Sequence, residues 1–344
     1  MPGVYHQDDT GQGERGLVDA LAPVHGQVLS VHSVERHMHT LRSRPYLFVD
    51  EQRVQVDPIS AMSGDTRGIE LFSGELTWQD LKRRLESDRR CFGFFHPALP
   101  DEPLIFVEVA LTREVASEIA PLLDPEAPTG DPYTADAAVF YSINNALAGL
   151  RGISFGNFLL KQVLSDLGEE LPQLRRFATL SPMPRFSEGL RMLLAGQVED
   201  WPVSRVEQLL ADQQPALRER TGLEQPCAAV ERLMQQAGAA DEAALAEPLT
   251  RLALLYLVEM QHPAGQCFDP VAAFHLANGA ILERINPFAD RSPKGMAQSH
   301  GVMVNYRYDP DQVVANHEAF VQAGRVAMSR ALQKDHDKYL AGKR

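Results

Sequence analysis

The sequence predicts an α/β (α+β) fold, in which a mixed sheet is flanked by helices and a helical insertion precedes the last strands. Short apolar runs rich in β-branched and aromatic residues alternate with longer amphipathic segments along most of the chain. This alternation is typical of a sheet covered by helices. Residues 186–262 then show helical patterns only, before two strand-like runs return. We therefore expect a helical insertion at about 186–262.

The predicted elements begin after an N-terminal stretch with few apolar runs. Residues 1–75 are rich in Gly, Asp, Gln and His, so we expect an arm or small appendage of unknown role there, and a larger domain over 76–344. The expected turn PALPDEP lies at 97–103, between two strands. Outside the insertion, the predicted helices are 77–90, 115–123, 156–171 and 311–332, and the predicted strands are 91–96, 103–111, 137–144, 175–182, 279–285 and 302–308.

Charge and composition exclude several classes of partner. The net charge of −13 argues against nonspecific binding to nucleic acid or to an anionic membrane, since both need a positive field. The first residues show no secretory signal, and no apolar run is long enough to span a bilayer. Cys91, Cys227 and Cys267 are widely spaced and odd in number, which favours reduced thiols. We therefore expect a cytoplasmic protein.

A candidate anion site lies between the strand at 137–144 and the helix at 156–171. The connecting loop carries Arg151, Gly152, Ser154 and Gly156. Backbone N–H groups at the start of a helix, reached through glycines, suit a pyrophosphate. The stretch resembles the coenzyme A loop of GNAT acetyltransferases, [QR]xxGx[GA], with Ser154 at the place of the middle glycine. An ordinary strand-to-helix connection is the alternative.

Two serines are candidates for a site, each with a structural alternative. Ser181 lies at the end of a predicted strand, where α/β sheets gather ligand contacts. It also precedes Pro182, and Ser-Pro commonly starts a turn. Ser142 and Asn144 lie in the predicted strand at 137–144, where one of them is expected to face the core. The residues alone leave both interpretations open.

His275 stands in the middle of the apolar stretch FDPVAAFHLANGAILERIN. A short helix starting at Pro270 would place Val271, Phe274 and Leu276 in the core, with the imidazole near its C-terminal end. A partly desolvated histidine has a pKa that its surroundings can tune, as a proton donor requires. The alternative is a core histidine that bonds a backbone carbonyl. The HMH motif at His37 and His39 lacks structural-zinc spacing, so we expect no metal.

Five collinear blocks together resemble the catalytic domain of malonyl-CoA decarboxylase, a family with a GNAT-like fold. The blocks are DRRCFGFFHPALPDEPLIFVEVALT, FYSINNALAGLRGISFGNFLLKQV, TLSPMPRF, DPVAAFHLANGAILERIN and KGMAQSHGVMVNYRY.

The resemblance implies decarboxylation of malonyl-CoA to acetyl-CoA, with the thioester itself as electron sink and no cofactor or metal. It places Ser181 and His275 at the catalytic positions. We expect Ser181 to position the malonyl group and His275 to protonate carbon. The coenzyme A positions implied are Arg151, Gly152, Ile153, Ser154, Phe155, Gly156 and Asn157. Ser142, Asn278 and Tyr308 match positions expected to line the substrate pocket.

The resemblance has departures, and other functions remain possible. The helical N-terminal domain usual in the family is not evident in residues 1–75, so the resemblance leaves a homo-oligomer open. Arg185 stands where family sequences tend to have glycine. One alternative is a GNAT-like decarboxylase or acyltransferase that acts on malonyl or methylmalonyl groups held by an acyl carrier protein, in fatty-acid or polyketide metabolism. A non-catalytic coenzyme A sensor is the alternative from another class.

Overall fold

The computed structural model describes residues 44–45, 82–96, 99–145, 156–236, 239–260 and 267–339. The chain divides into two compact units. The first comprises Met1–Leu111, Thr129–Thr134 and Ser142–Leu174, and the second comprises Thr112–Pro128, Ala135–Tyr141 and Arg175–Arg344. The arm predicted over residues 1–75 falls almost entirely outside the described residues and stays a prediction.

In the first unit, three antiparallel strands are β1 (Arg44–Pro45), β2 (Arg89–His96) and β3 (Leu99–Thr112). The turn predicted over 97–103 is too long. Leu99 already pairs with His96, and Pro103 pairs with Phe95, across two register irregularities. The proline-rich segment is therefore the irregular start of β3. Proline has no backbone N–H to donate to a neighbouring strand. It is tolerated at a β-bulge because the regular hydrogen-bond ladder is interrupted there.

Helix α2 (Gly156–Glu170) begins where the glycine-rich loop predicted it. Its buried side chains are Leu160, Val163, Leu164 and Leu167, which recur at the spacing of one helical face. The helix predicted over 156–171 is therefore confirmed over Gly156–Glu170.

The second unit contains a mixed sheet organised around one strand. Its strands are the first part of β4 (Ala137–Asn145), β5 (Arg176–Thr179), β6 (Ser181–Pro182), β7 (Ile281–Asn286) and β8 (Met303–Tyr308). β4 pairs with β5 in parallel, whereas β5, β6 and β7 all pair antiparallel with β8. The mixed sheet predicted from the sequence is confirmed.

The strand predicted over 175–182 is interrupted at Leu180. The side chain of Leu180 is buried, and its N–H bonds to the Phe140 carbonyl at 2.9 Å instead of to β8. Beside this break, the Tyr306 N–H bonds to the hydroxyl of Thr179 at 3.2 Å. The Thr179 hydroxyl thus takes the place of a backbone carbonyl as acceptor for Tyr306, and the regular pairing with β8 is interrupted between β5 and β6.

The other described helices follow in sequence order. They are α1 (Ala120–Leu123), α3 (Phe186–Leu194), α4 (Val203–Leu209), α5 (Gln214–Thr221), α6 (Pro226–Gln236), α7 (Ala239–Glu259), α8 (Pro270–Ala277), α9 (Pro293–Ser299), α10 (Val313–Ala323) and α11 (Arg330–Tyr339). Helices α3 to α7 occupy the stretch predicted to be purely helical. Among the described residues, no helix is long and apolar enough to cross a membrane.

Three helix predictions need correction. The helix predicted over 77–90 is helical only at 82–84 among its described residues, and β2 already begins at Arg89. The closing helix predicted over 311–332 is two helices, because Gly324 takes a left-handed φ of 61° and caps α10. The helix predicted over 115–123 is reduced to the four residues of α1, with Pro121 in its first turn. Proline is tolerated there because the first N–H groups of a helix have no internal partner.

Candidate active site

Ser181 and His275, 94 positions apart in sequence, are brought into direct contact. Ser181 Oγ lies 3.0 Å from His275 Nε2. Ser181 is on β6 and His275 is on α8, and both are buried. The contact therefore pairs a hydroxyl with an imidazole away from bulk water, which is an arrangement that can orient a ligand and move a proton.

Tyr308, on β8, completes the other side of the imidazole. Its hydroxyl lies 2.9 Å from His275 Nδ1. The ring of Tyr306 stacks on the imidazole with centroids 4.6 Å apart and planes inclined by 25°. Phe274 meets the imidazole edge-on, with centroids 5.0 Å apart. The ring is held by polar contacts at both nitrogens and by aromatic faces around it, so its orientation is fixed.

Burial keeps the His275 ring neutral. It lowers the pKa of His275 from 6.5 to about 3, because the charged form loses its hydration. Burial also raises the pKa of Tyr308, so that the phenol keeps its proton. A neutral imidazole has one N–H and one acceptor nitrogen. The ring therefore donates a hydrogen bond at one nitrogen and accepts one at the other.

The acidity of Tyr308 sets the direction of these bonds. Phenol is a stronger donor than an aliphatic hydroxyl, so leaving its proton unpaired in a buried site is the costlier arrangement. Tyr308 then donates to Nδ1, and the Nε2–H of His275 donates to Ser181 Oγ. Ser181 in turn donates to Thr179 Oγ1 at 2.8 Å. Hydrogen positions are assigned here from this balance of donors and acceptors.

Thr179 is a site residue that the sequence analysis missed. It is buried on β5, accepts from Ser181 and from the Tyr306 N–H, and its carbonyl accepts from Asn305 Nδ2 at 2.7 Å. Residues two apart on an extended chain project to the same side. The spacing of Thr179 and Ser181 was therefore a signal in the sequence, although the break at Leu180 was not foreseen.

Asp269 holds the helix that carries His275. It is fully buried, and its Oδ1 accepts from the N–H groups of Val271 and Ala272, both at 3.0 Å, as the N-cap of α8. Its Oδ2 accepts from the Tyr256 hydroxyl at 2.9 Å. Burial raises the pKa of Asp269 despite these hydrogen bonds. Asp followed by Pro270 at the first helical position is a helix-start signal that the sequence offered.

The short helix predicted from Pro270 is confirmed, but its buried face is not the predicted one. Of Val271, Phe274 and Leu276, only Leu276 is buried, and it shares the interior with Ala272 and His275. The helix thus turns the face that bears the imidazole inward. His275 is buried on this helix, whereas the apolar side chains of Val271 and Phe274 stay partly exposed.

The remaining predicted site residues are placed only in part. Arg151 to Phe155 lie outside the described residues, while Gly156 and Asn157 open α2. Ser142 is buried on β4, in the first unit. Asn278 is buried at the C-terminal end of α8.

The guanidinium of Arg185 contacts two neighbouring side chains. It lies 4.1 Å from the centre of the Phe268 ring and bonds Glu188 at 2.9 Å. Over the described part of the chain, no cluster of three or more His, Cys, Asp or Glu suits a metal ion.

Comparison with known proteins identifies related chains. The model of the malonyl-CoA decarboxylase C-terminal domain matches residues 74–343. The mitochondrial malonyl-CoA decarboxylase of Anser anser anser is 39% identical over 257 residues, which is 73% of this chain and 50% of the relative. That of Rattus norvegicus is 36% identical over 261 residues, covering 74% of this chain and 52% of the relative. The chain therefore spans about half the length of these curated relatives.

A solved structure is also similar to this chain. The crystal structure of malonyl-CoA decarboxylase from Rhodopseudomonas palustris is 36% identical, with a TM-score of 0.69. The match covers 93% of this chain and 70% of the chain in the crystal structure.

The expected cytoplasmic location is wrong on this comparison. The curated relatives from Anser anser anser and Rattus norvegicus are both named as mitochondrial proteins. The prediction rested on the absence of a secretory pattern at the start of the sequence. That pattern concerns export, and it says nothing of other compartments.

Proposed function

This chain belongs to the malonyl-CoA decarboxylase family, and from that premise we propose that it converts malonyl-CoA to acetyl-CoA and CO2. The observation that carries the proposal is the buried contact of 3.0 Å between Ser181 Oγ and His275 Nε2. Both residues were expected at catalytic positions on the strength of the sequence blocks alone. Their meeting across 94 positions supports a single site.

The reaction needs little beyond positioning and a proton. Loss of CO2 leaves negative charge on the α-carbon, and this charge delocalises onto the thioester oxygen as an enolate. In our proposal, Ser181 hydrogen-bonds the malonyl group and orients its carboxylate, and His275 delivers the proton to the α-carbon. The aromatic surroundings of the imidazole favour expulsion of the carboxylate as neutral CO2.

The proton leaves a neutral ring and is replaced from the other side. The Nε2–H bond breaks as the new C–H bond forms. Nδ1 takes the proton of Tyr308, whose hydroxyl lies 2.9 Å away. The resulting phenolate is neutralised by a proton from water, so the overall reaction consumes one proton for each CO2 released. His275 is left as the neutral Nδ1–H tautomer, and exchange with water then adds a proton at Nε2 and removes the one at Nδ1, which restores the starting tautomer without further net proton uptake.

Residues 151–157 would bind the coenzyme A portion, with pyrophosphate at the start of α2. The sequence pattern and the start of that helix at Gly156 support this placement. We propose malonyl-CoA as substrate, with a role in fatty-acid metabolism, and no cofactor or metal for the chemistry. An acyl carrier protein that presents a malonyl group is the alternative partner, and self-association into a homo-oligomer is a further possibility.

One experiment separates these substrates. The protein is incubated with malonyl-CoA and, separately, with a malonyl-carrier protein, and loss of the mass of CO2 is followed by mass spectrometry. We expect loss from malonyl-CoA, and none when Ser181→Ala or His275→Gln is used as the matched control. Loss of CO2 only from the malonyl-carrier protein would show that the carrier-bound thioester, and not malonyl-CoA, is the substrate. No loss from either would refute the decarboxylase.

A further inference from the structure

Asn278 has a buried amide group that its surroundings leave unsatisfied. The residue is 3% exposed, and none of the described residues accepts a hydrogen bond from its Nδ2. Two other buried asparagines provide a contrast. Asn286 Nδ2 donates to Asn305 Oδ1 at 2.8 Å, and Asn305 Nδ2 donates to two carbonyls. Buried polar groups in folded proteins are nearly always paired, so an orphan donor points to an absent ligand.

Asn278 follows His275 by three positions at the end of helix α8. Its N–H bonds to the Phe274 carbonyl at 3.1 Å, so the helical path of α8 continues through it. Helix residues three apart lie on one face with Cβ atoms about 5–6 Å apart. Asn278 therefore shares the buried face of His275, one turn further along.

The backbone around Asn278 is tightly held. Gly279 takes a φ of 76°, and a Cβ added there would lie 2.0 Å from the Val313 carbonyl oxygen. Asn316 Nδ2 donates to the Gly279 carbonyl at 3.2 Å, and His317 Nδ1 contacts the Ala277 carbonyl at 2.5 Å. Helix α10 thus fixes the chain on both sides of Asn278. A donor on a fixed backbone loses little freedom when a ligand arrives, and this is the preorganisation that favours charge stabilisation.

We propose that Asn278 Nδ2 is a catalytic donor that binds the thioester oxygen and stabilises the enolate formed there. The inference rests on the proposed function. Three groups of the malonyl thioester change during the reaction: the carboxylate, which leaves as CO2, the α-carbon, which gains a proton, and the thioester carbonyl, whose oxygen carries the enolate charge. Ser181 and His275 serve the first two. A neutral amide N–H, which can donate but carries no charge, suits an oxygen that is neutral in the substrate and negative in the enolate.

The test combines kinetics with stability. Asn278→Ala and Asn278→Leu are compared with the wild type for turnover of malonyl-CoA and for the midpoint of urea unfolding. Loss of one such donor lowers kcat by about 10²–10³-fold, so we expect that loss with KM little changed. The unfolding midpoint should stay or rise, because the variants remove an unsatisfied amide. Asn286→Ala is the matched control, and its midpoint should fall because its amide is paired.

Two results would overturn the inference. One is a kcat within about threefold of the wild type in both variants, well short of the loss expected for such a donor. The other is a fall in midpoint like that of Asn286→Ala, which would make Asn278 structural.

A further assay separates this inference from the decarboxylase itself. It follows exchange of the acetyl-CoA methyl protons in D2O, which passes through the same enolate. If the wild type exchanges without decarboxylating and Asn278→Ala does neither, the inference stands and the substrate assignment fails. A wild type that does neither refutes both.

Discussion

Replacing Asp269 by alanine tests whether this carboxylate holds helix α8, and with it His275, in place. The side chain is fully buried and accepts hydrogen bonds from two helix N–H groups, from the Tyr256 hydroxyl and from the Arg185 backbone N–H. Loss of an N-cap costs about 0.5–2 kcal/mol. Leaving a buried hydroxyl unpaired costs about 1–3 kcal/mol more. The buried carboxylate has its own desolvation cost, which alanine removes, so we expect a net loss of about 2–4 kcal/mol.

Asp269→Asn is the control that separates the cap from the charge. Its amide oxygen can still accept from the N–H groups of Val271 and Ala272, and its amide nitrogen can donate to the Tyr256 oxygen. We expect a smaller loss than for Asp269→Ala, about 1 kcal/mol, since the cap and the Tyr256 contact each have a substitute. Urea unfolding, followed by circular dichroism and tryptophan fluorescence, gives the midpoint and the slope m for each variant. Equal losses for Asp269→Ala and Asp269→Asn, at unchanged m, would refute this account of the cap.

Three further predictions concern the site. Ser181→Ala and His275→Gln should each lower kcat by about 10²–10⁴-fold with little change in KM, which steady-state kinetics on malonyl-CoA will show; near-normal turnover in either would contradict the assignment. Because the pKa of His275 is about 3 in the folded protein and 6.5 as its ordinary value, kcat should not titrate near pH 6.5. The unfolded chain binds this proton first, so the histidine makes the free energy of unfolding fall as pH drops from 6.5 towards 3, and His275→Gln should fall less steeply in the same urea series. Thr179→Val should leave the Ser181 hydroxyl and the Tyr306 N–H without their acceptor and lose about 1–3 kcal/mol of stability together with activity, whereas Thr179→Ser should keep both; equal behaviour of the two variants would show that the hydroxyl is not used.

The sequence was informative where a pattern is local. The mixed sheet followed from alternating apolar runs, and the short helix from Pro270 followed from its start and stop residues. Gly324 was a visible stop signal too, yet the apolar spacing on both sides of it favoured one long helix. Which pattern prevails depends on whether Gly324 takes a left-handed conformation, and this is decided by packing of α10 and α11 against the rest of the chain.

The sequence blocks pointed to three of the residues that meet here, Ser181, His275 and Tyr308, but not to the contacts between them. The blocks containing Ser181 and His275 are recognisable by their order, although neither residue stands out by periodicity alone. The partners that orient them come from distant parts of the chain: Tyr308 from β8, and Tyr256, which bonds Asp269, from α7. No local pattern connects such residues, because their contacts depend on register and packing between elements. Thr179 was the exception, since it lies two positions from Ser181.

The most direct test of the central claim is turnover of malonyl-CoA in D2O by the wild type and by His275→Gln, with the products identified by mass spectrometry. If His275 protonates an enolate formed by loss of CO2, the wild type will yield acetyl-CoA with one deuterium in its methyl group, and His275→Gln will yield almost none in the same time. Absence of acetyl-CoA with the wild type, or equal rates for the two proteins, would contradict the account.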